Sequence, residues 1–247
     1  MRNIILRPNA APVYAFLTRI NSEISDAHRS QPGKILDCGA GGPTPPLALF
    51  HQEGFEGWGI DISLEELEKA RQFCVRTGIE LRLKQGDMRC IPFEDQSFDF
   101  IYEHYSMCHL NKRDTAVAVN EMWRVLRPGG LCFLGVISTD TWPRSFFGQE
   151  RAPGEFWGEE DGVPDVLHSM LCDKEMDEVV SSWMILLKEK HVQYWPQMAA
   201  ETSMEEWMKL YQEADDGSTE DEWQAKYASR AMAFRYCHLY YYLKRPA

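Results

Sequence analysis

The stretch KILDCGAGGPTPPL, residues 34–47, constrains the fold of this chain more than any other. Ile35 and Leu36 favour a buried β-strand, and three glycines follow within four positions. Gly39 and Gly41 have no Cβ, so the backbone there can adopt angles that other residues avoid, and a ligand can lie directly against it. The stretch therefore predicts a strand that turns sharply into a helix, with a ligand at the turn.

The proline-rich end of this stretch leads into a short helix that is predicted over Leu47 to Gln52. Thr44 is a residue type that caps helix N-termini. Pro45 suits the first helical position, where its missing N–H would have no partner in any case. The N-terminus of this helix is therefore expected to point at the same ligand.

Strand and helix signals alternate after this turn. Apolar runs of strand length end at Asp61, Asp87 and Glu103, and helix-spaced apolar residues lie between them. Ser63 and Glu66 have the spacing of a capping box. The alternation predicts a parallel sheet covered on both faces, with its ligand crevice at the carboxyl ends of the strands.

Other segments carry weaker local signals. Residues 11–29 predict an amphipathic helix that buries Tyr14, Leu17 and Ile20, and Asn111 is expected to cap a helix that buries Val117, Met122, Val125 and Leu126. Segment 138–165 has no sustained period and predicts a long loop, whose aromatic residues either wall a pocket or pack the loop down. These aromatic residues are Trp142, Phe146, Phe147, Phe156 and Trp157.

The C-terminal part of the chain predicts a helix, a strand, a helical insertion and a last strand. Asp173 can cap a helix through about Leu187, and HVQYW and CHLYYYLK have the composition of strands. Two capping boxes, Ser203 with Glu206 and Thr219 with Glu222, predict the helices of the insertion.

Length, cysteine usage and charge limit the partners. A chain of 247 residues with 44% hydrophobic residues can bury one sizeable core. No run approaches the roughly 18–20 apolar residues of a membrane span, so we expect no membrane partner. Seven cysteines without a CxxC pair indicate reduced thiols and a cytoplasmic protein.

The net charge of −12 is uneven, with −3 on residues 1–140 and −9 on residues 141–247. An acidic field repels a phosphate backbone, so nucleic acid is a poor partner. A small molecule is the expected ligand.

Three aspartates, Asp37, Asp61 and Asp87, lie at or just after predicted strand ends. Asp61 follows Gly39 by 22 residues, the spacing at which a carboxylate accepts hydrogen bonds from ribose hydroxyls in nucleotide-binding units. Each aspartate taken alone can equally cap a neighbouring helix. Three in equivalent positions predict a nucleoside, with Asp87 near its adenine amino group. Ile62 and Met88 supply apolar surface for the ring.

Four motifs then occur in a fixed order: ILDCGAGGP, GIDIS, QGDM ahead of IPFEDQSFDFIYE, and EMWRVLRPGG. As a set, which extends over residues 34–137, they resemble the class I S-adenosylmethionine-dependent methyltransferases. The resemblance implies S-adenosylmethionine as cofactor and S-adenosylhomocysteine as product. It also implies an α/β fold: a Rossmann-like, doubly wound, mainly parallel seven-stranded sheet with an antiparallel last strand and a helical insertion near the C-terminus.

The resemblance further implies one domain over residues 1–247. Its parts are an N-terminal helical cap (1–32), a cofactor-binding core (33–140) and an acceptor side of loop, helices and closing strands (141–247). The implied cofactor-binding residues are Asp37, Gly39, Ala40, Gly41, Asp61, Ile62, Asp87, Met88 and Glu103. This chain has Gly42 and Pro43 where the family commonly has a further glycine, a departure that concerns the path of the turn.

The candidate catalytic residues are His109 and His104, with Glu103 beside them. A histidine suits a general base at neutral pH if the acceptor is a hydroxyl, a thiol or an acidic carbon, whereas an amine acceptor needs no such base. The alternative is that a lone loop histidine is structural. The spacing of the two histidines matches no common ligand pattern and no accompanying Asp, Glu or Cys cluster is evident, so no metal is expected.

Two other functions remain as alternatives. A nicotinamide-dependent oxidoreductase is disfavoured because Thr44 replaces the third glycine of GxGxxG and because RPGG precedes the fifth strand. A non-catalytic cofactor-binding sensor or scaffold would keep the fold without the chemistry.

Overall fold

The computed structural model describes residues 11–23, 33–160, 162–195, 203, 205, 219, 221–222, 225 and 234–247. The helices in this part of the chain are α1 (Ala11–Glu23), α2 (Leu47–Gln52), α3 (Leu64–Thr77), α4 (Lys112–Val125) and α5 (Asp173–Val179). The first five strands are β1 (Lys34–Cys38), β2 (Glu56–Asp61), β3 (Arg82–Gln85), β4 (Phe98–His104) and β5 (Leu126–Ser138). The other five are β6 (Gln149–Ala152), β7 (Glu155–Glu160), β8 (Val163–Leu171), β9 (Met184–Trp195) and β10 (Phe234–Lys244).

Seven of the described strands form the main sheet, in the order β3-β2-β1-β4-β5-β10-β9. Strands β1 to β5 are parallel to one another, and β10 is antiparallel to both β5 and β9. This confirms the predicted parallel sheet with an antiparallel last strand. The parallel order reverses direction beside β1, which is where such sheets leave a ligand crevice.

Helices pack on both faces of the sheet. Helices α1 and α2 bury residues such as Phe16 and Phe50 in one apolar cluster, and α4 and α5 bury Met122 and Met176 in another on the opposite face. A doubly wound sheet needs both layers because its strands are apolar on both sides. The sheet is therefore a rigid base from which the loops at its carboxyl edge project.

Two predicted core positions are wrong. Tyr14 is 43% exposed and Val117 is 41% exposed, whereas Phe16 and Val119 are fully buried. The other predicted core residues of the two helices, among them Ile20 and Met122, are buried, so the error is confined to these two positions. The predicted extension of α1 beyond Glu23 lies outside the described residues.

The short helix predicted over residues 47–52 is confirmed as α2, but Pro45 is not its first helical residue. Pro46 is the N-cap and makes no side-chain capping bond, and the first bonds run from the Ala48 and Leu49 N–H groups to the carbonyls of Pro45 and Pro46. The predicted cap at Thr44 is therefore wrong, because both prolines belong to the turn that precedes the helix. A helix of six residues adds little to a ligand site at the turn.

The segment predicted as a long loop is an antiparallel meander of β6, β7 and β8. Its turns use Gly148, Gly154 and Gly162, all with positive φ. Strand β8 pairs with β5 through Ile137–Met170 and Ser138–Leu171, whereas the β4 pairing ends at His104–Gly135. The meander consequently stands over the carboxyl end of β4.

The C-terminal predictions were partly right. Helix α5 ends at Val179 rather than at about Leu187, because residues 184–195 pair with β10 instead. The Thr219–Glu222 capping box is confirmed: the Glu222 N–H donates to Thr219 Oγ1, and the Thr219 N–H donates to Glu222 Oε2. Glu206 and most of the predicted helical insertion lie outside the described residues. Among the helices that the structure describes, none has the length and apolarity needed to cross a membrane.

Candidate functional site

A crevice of about 500 Å³ opens at the carboxyl ends of β1, β2 and β3. This volume lies in the range of small-molecule sites. The predicted site residues that line it are Gly39, Asp61, Ile62, Asp87, Met88 and His109. Sequence reasoning missed other lining residues, among them Ser106, Asn111 and Leu167.

The glycine turn forms one wall of the crevice and is fixed in two ways. The N–H groups of Gly39 and Ala40 both donate to the Ile60 carbonyl, at 2.8 and 2.9 Å. Gly39 has φ +120°, and a Cβ there would lie 1.9 Å from Ser106 Oγ. The turn therefore requires glycine at position 39, both for its backbone angle and for the close approach of Ser106.

Asp61 is held in place by backbone donors. Its Oδ2 accepts from the Gly41 N–H at 3.0 Å and its Oδ1 accepts from the Ser63 N–H at 2.8 Å. A Cβ on Gly41 would lie 2.5 Å from Asp61 Oδ2, so this contact also requires glycine. Each carboxylate oxygen keeps acceptor capacity for a ligand in the crevice.

The predicted Ser63–Glu66 capping box is only half formed. Ser63 Oγ accepts from the Glu66 N–H at 3.2 Å, as an N-cap does. The reciprocal bond is absent from the described contacts because the Ser63 N–H donates to Asp61, while the Glu66 carboxylate binds Lys69 at 2.6 Å. The Ser63 N–H, which a complete capping box would pair with Glu66, therefore binds Asp61 at the crevice instead.

Asp87 lines the crevice as one half of an ion pair with Arg89. The Arg89 guanidinium donates to both of its carboxylate oxygens and also to Asp114 Oδ2, at 2.7–3.0 Å. The hydrogen bonds from Arg89 lower the pKa of Asp87 below its usual value. Arg89 was missed from the sequence, although its position two residues after Asp87 is the available signal.

Glu103 is fully buried and does not line the crevice. Its Oε1 accepts from the N–H groups of Ser106 and Met107, at 3.0 and 2.7 Å, which fixes the turn after β4. Burial raises the pKa of Glu103 to about 7. In this structure Glu103 therefore supports Ser106 against the glycine turn, and direct cofactor binding by Glu103 stays a prediction.

Asp37, Ala40 and Gly41 also lie behind the crevice surface. Asp37 and Ala40 are buried, and Gly41 reaches the site through its hydrogen bond to Asp61. Their predicted contacts with a cofactor stay predictions.

His104 points away from the crevice toward β10. Its Nε2 is 3.3 Å from the Tyr240 hydroxyl, and its ring lies 5.5 Å from that of His238. Burial, and secondarily the nearby His191, lower the pKa of His104 to about 4, so the ring is neutral. The structure thus separates the two histidines that the sequence grouped as catalytic candidates.

His109 lies at the crevice and belongs to a second cluster. Its Nδ1 donates to the Leu167 carbonyl at 2.9 Å, because a carbonyl oxygen can only accept. Its Nε2 is 3.6 Å from Glu160 Oε2, and the same oxygen is 3.5 Å from His168 Nε2. The nearby imidazole of His168, and after it that of His109, lowers the pKa of Glu160 below its usual value. The sequence showed no Asp, Glu or Cys cluster beside His109, whereas the structure places Glu160 there together with His168.

The aromatic residues of segment 138–165 divide between two roles. Phe147 and Phe156 are buried and join an apolar cluster with Met170 and Tyr236. Trp142 and Phe156 line a separate cavity of about 420 Å³. The packing alternative therefore holds for Phe147 and Phe156, and a role of these aromatic residues in an acceptor pocket stays a prediction.

Comparison with known proteins gives a consistent set of relatives. Residues 36–134 match the family model described as a methyltransferase domain. The 24-methylenesterol C-methyltransferase 2 of Oryza sativa subsp. japonica is 33% identical over 118 residues, which are 46% of this chain and 32% of that protein. The sarcosine/dimethylglycine N-methyltransferase of Aphanothece halophytica is 31% identical over 137 residues, 53% of this chain and 49% of that protein.

Among solved structures, a SAM-dependent methyltransferase from Methanosarcina mazei superposes with a TM-score of 0.63. The two are 16% identical, and the match covers 93% of this chain and 98% of the other. At that identity the likeness establishes the fold. This chain spans about a third to a half of the length of the curated relatives it matches.

Proposed function

The chain contains a class I S-adenosylmethionine-dependent methyltransferase domain, and from this we propose that it transfers a methyl group from S-adenosylmethionine to a small-molecule acceptor, giving S-adenosylhomocysteine. The observation that carries the proposal is Asp61, whose carboxylate is oriented at the crevice by the N–H groups of Gly41 and Ser63. A carboxylate held in this way suits the two hydroxyls of a ribose.

The remaining walls fit the other parts of the cofactor. The backbone at Gly39 offers a surface without side chains for the methionine portion, and Ile62 and Met88 line the crevice beside Asp61 where an apolar ring can lie. Asp87, oriented by Arg89, is the candidate acceptor for the adenine amino group. Along the strand ends, the residues proposed to contact the ribose, the adenine ring and its amino group therefore follow one another in that order.

When bound, the cofactor supplies a methyl group on a sulfonium, whose sulfur is already an activated leaving group. The residues of the chain then have to orient the two reactants and exclude water. His109 is the histidine that lines the crevice and is our candidate for activating an acceptor. We assign no catalytic role to His104, which is neutral and faces β10.

The test is a calorimetric titration of the full chain with S-adenosylhomocysteine. Replacing Asp61 by Asn removes a charged acceptor, and hydrogen bonds to charged groups contribute about 1.5–3 kcal/mol, so we expect affinity to fall about 10- to 150-fold. Glu80→Gln is the matched control because Glu80 is exposed and does not line the crevice, and its affinity should equal that of the native chain.

Two results would count against the proposal. If the native chain binds neither S-adenosylmethionine nor S-adenosylhomocysteine at high micromolar concentration but binds NADH, the function is wrong. If Asp61→Asn binds within twofold of the native chain, the assignment of the ribose site is wrong. Because the relatives include C- and N-methyltransferases, an acceptor screen should offer carbon and nitrogen nucleophiles as well as oxygen and sulfur.

A further inference from the structure

Three potential metal ligands meet at the edge of the crevice, although they are far apart in the sequence. His109 follows β4, Glu160 ends β7, and His168 lies in β8. The ligand atoms of these side chains all lie within 4.8 Å of one another. The fold thus assembles two imidazole nitrogens and one carboxylate oxygen at one point.

The distances suit a shared ion better than direct hydrogen bonds. Glu160 Oε2 lies 3.6 Å from His109 Nε2 and 3.5 Å from His168 Nε2. Hydrogen bonds from nitrogen to oxygen normally measure about 2.7–3.2 Å. Two ligands bound tetrahedrally to zinc at about 2.0–2.1 Å lie about 3.3–3.4 Å apart, which is close to the observed separations.

The ring of His109 is already oriented for ligation, and that of His168 is held by packing. The Nδ1–H of His109 donates to the Leu167 carbonyl, which leaves the Nε2 lone pair directed toward Glu160. A backbone carbonyl in this position is the usual outer partner of a metal-bound histidine. The side chain of His168 is only 6% exposed, and its ring packs 5.1 Å from Phe147.

We infer that His109, Glu160 and His168 form a site for a divalent metal of the zinc type. Two histidines and one glutamate are a donor set of catalytic zinc sites, in which the fourth position is left for water or substrate. His109 and Glu160 are 37% and 38% exposed, so an ion can enter from solvent and the fourth position is accessible.

The site adjoins the crevice because His109 and Leu167 line both. If the proposed methyl transfer is correct, the metal holds an oxygen or nitrogen atom of the acceptor beside the cofactor and lowers the pKa of that group. The acceptor is then a molecule with a ligating hydroxyl, carboxylate or amine. In this arrangement His109 activates the acceptor as a metal ligand rather than as a free base.

The experiment is a metal titration of the full chain after treatment with a chelator, without any nucleoside present. Binding of Co²⁺ is followed by visible absorption and binding of Zn²⁺ by calorimetry. We expect one high-affinity ion per chain, with at least about tenfold weaker binding in Glu160→Gln and in His168→Gln. Glu159→Gln is the matched control, since it makes the same charge change at the exposed neighbouring position and should bind like the native chain.

Circular dichroism and thermal unfolding identify a variant that fails to fold. His168 is buried, so its replacement is the more destabilising change. The variant of the half-exposed Glu160 is therefore the decisive one. Equal affinity in native, Glu159→Gln and Glu160→Gln proteins would overturn the site. An intense thiolate-to-cobalt band would also overturn it, because it would assign the ion to cysteines such as the exposed Cys90.

The same samples are then titrated with S-adenosylhomocysteine. Metal binding without nucleoside binding would refute the proposed function and leave the metal site standing. Nucleoside binding without metal binding that depends on Glu160 would refute the metal site and leave the proposed function standing.

Discussion

His238 on β10 is the residue from which we expect the largest single effect of acid on stability. It is 3% exposed, and its ring lies among those of His104, Tyr236 and Tyr240. Neither ring nitrogen has a hydrogen-bond partner among the described residues. Burial, followed by the proximity of the His104 and His191 imidazoles, lowers the pKa of His238 from 6.5 to about 3.

The sign of the effect follows from the direction of this shift. Because the folded pKa lies below the unfolded pKa, the unfolded chain binds a proton that the folded chain does not. The free energy of unfolding is therefore highest above pH 6.5, where the ring is neutral in both states. It decreases as the pH falls from 6.5 toward 3. At pH 5 the unfolded imidazole is almost fully protonated and the folded one is neutral, which costs about 2 kcal/mol.

The perturbation is His238→Phe, which keeps an aromatic ring and removes the titration. Urea unfolding at pH 7.5 and pH 5 gives the free energy of unfolding for each protein. We expect the native chain to lose about 2 kcal/mol more than the variant between the two pH values. His51→Gln, on the distant helix α2, should lose as much as the native chain.

Glu103 acts in the opposite direction, because its pKa is raised to about 7 and its contribution is lost as the pH rises through that value. All three proteins contain Glu103, so its effect cancels in the comparison. An equal loss of stability in His238→Phe and the native chain would refute the reasoning.

Three further predictions concern the elements that build the crevice. Gly59→Ala places a Cβ 2.3 Å from that of Ala40 and should lower the free energy of unfolding, measured in urea, by about 1–3 kcal/mol. Adding Ala40→Gly should restore part of the loss. No recovery in the double variant would contradict the proposed clash. Ser63→Ala removes an N-cap and should cost about 1 kcal/mol in thermal unfolding, whereas Ser63→Thr should cost less; equal losses would contradict the capping role. Arg89→Ala should raise the pKa of Asp87 toward its ordinary value in an NMR titration, with Arg89→Lys between the two, and an unchanged pKa would exclude Arg89 as its cause.

The cofactor-side half of the molecule was largely predictable because its signals are local. The N-caps at Ser63 and Asn111, and the C-terminal Gly78 with φ +69°, mark helix ends within a few residues of sequence. The end of β2 at Asp61 was likewise predicted from local sequence. The predicted cap at Thr44 was wrong because consecutive prolines leave the position of the cap undetermined by local preference alone.

The acceptor side was not predictable because its structure depends on distant pairing. Glu160 and His168 follow His109 by 51 and 59 residues, and only the antiparallel pairing of β7 with β8 brings them to it. Residues 184–187 have helical preference but lie in β9 because β10 pairs with them. His104 and His109 are close in sequence, yet they lie on opposite sides of the turn that Glu103 fixes.

The attachment of the meander has a consequence for how such proteins diversify. Strand β5 ends at Ser138, and β8 returns to pair with Ile137 and Ser138, so residues 139–170 leave and rejoin the sheet at one place. A segment whose two ends meet can be lengthened, shortened or exchanged as a cassette without shifting β1 to β4. The match to the family model ends at residue 134, just before this segment. The segment does not contain Gly41 or Ser63, which orient Asp61, so under the proposed function its exchange would change the acceptor side and spare the ribose site.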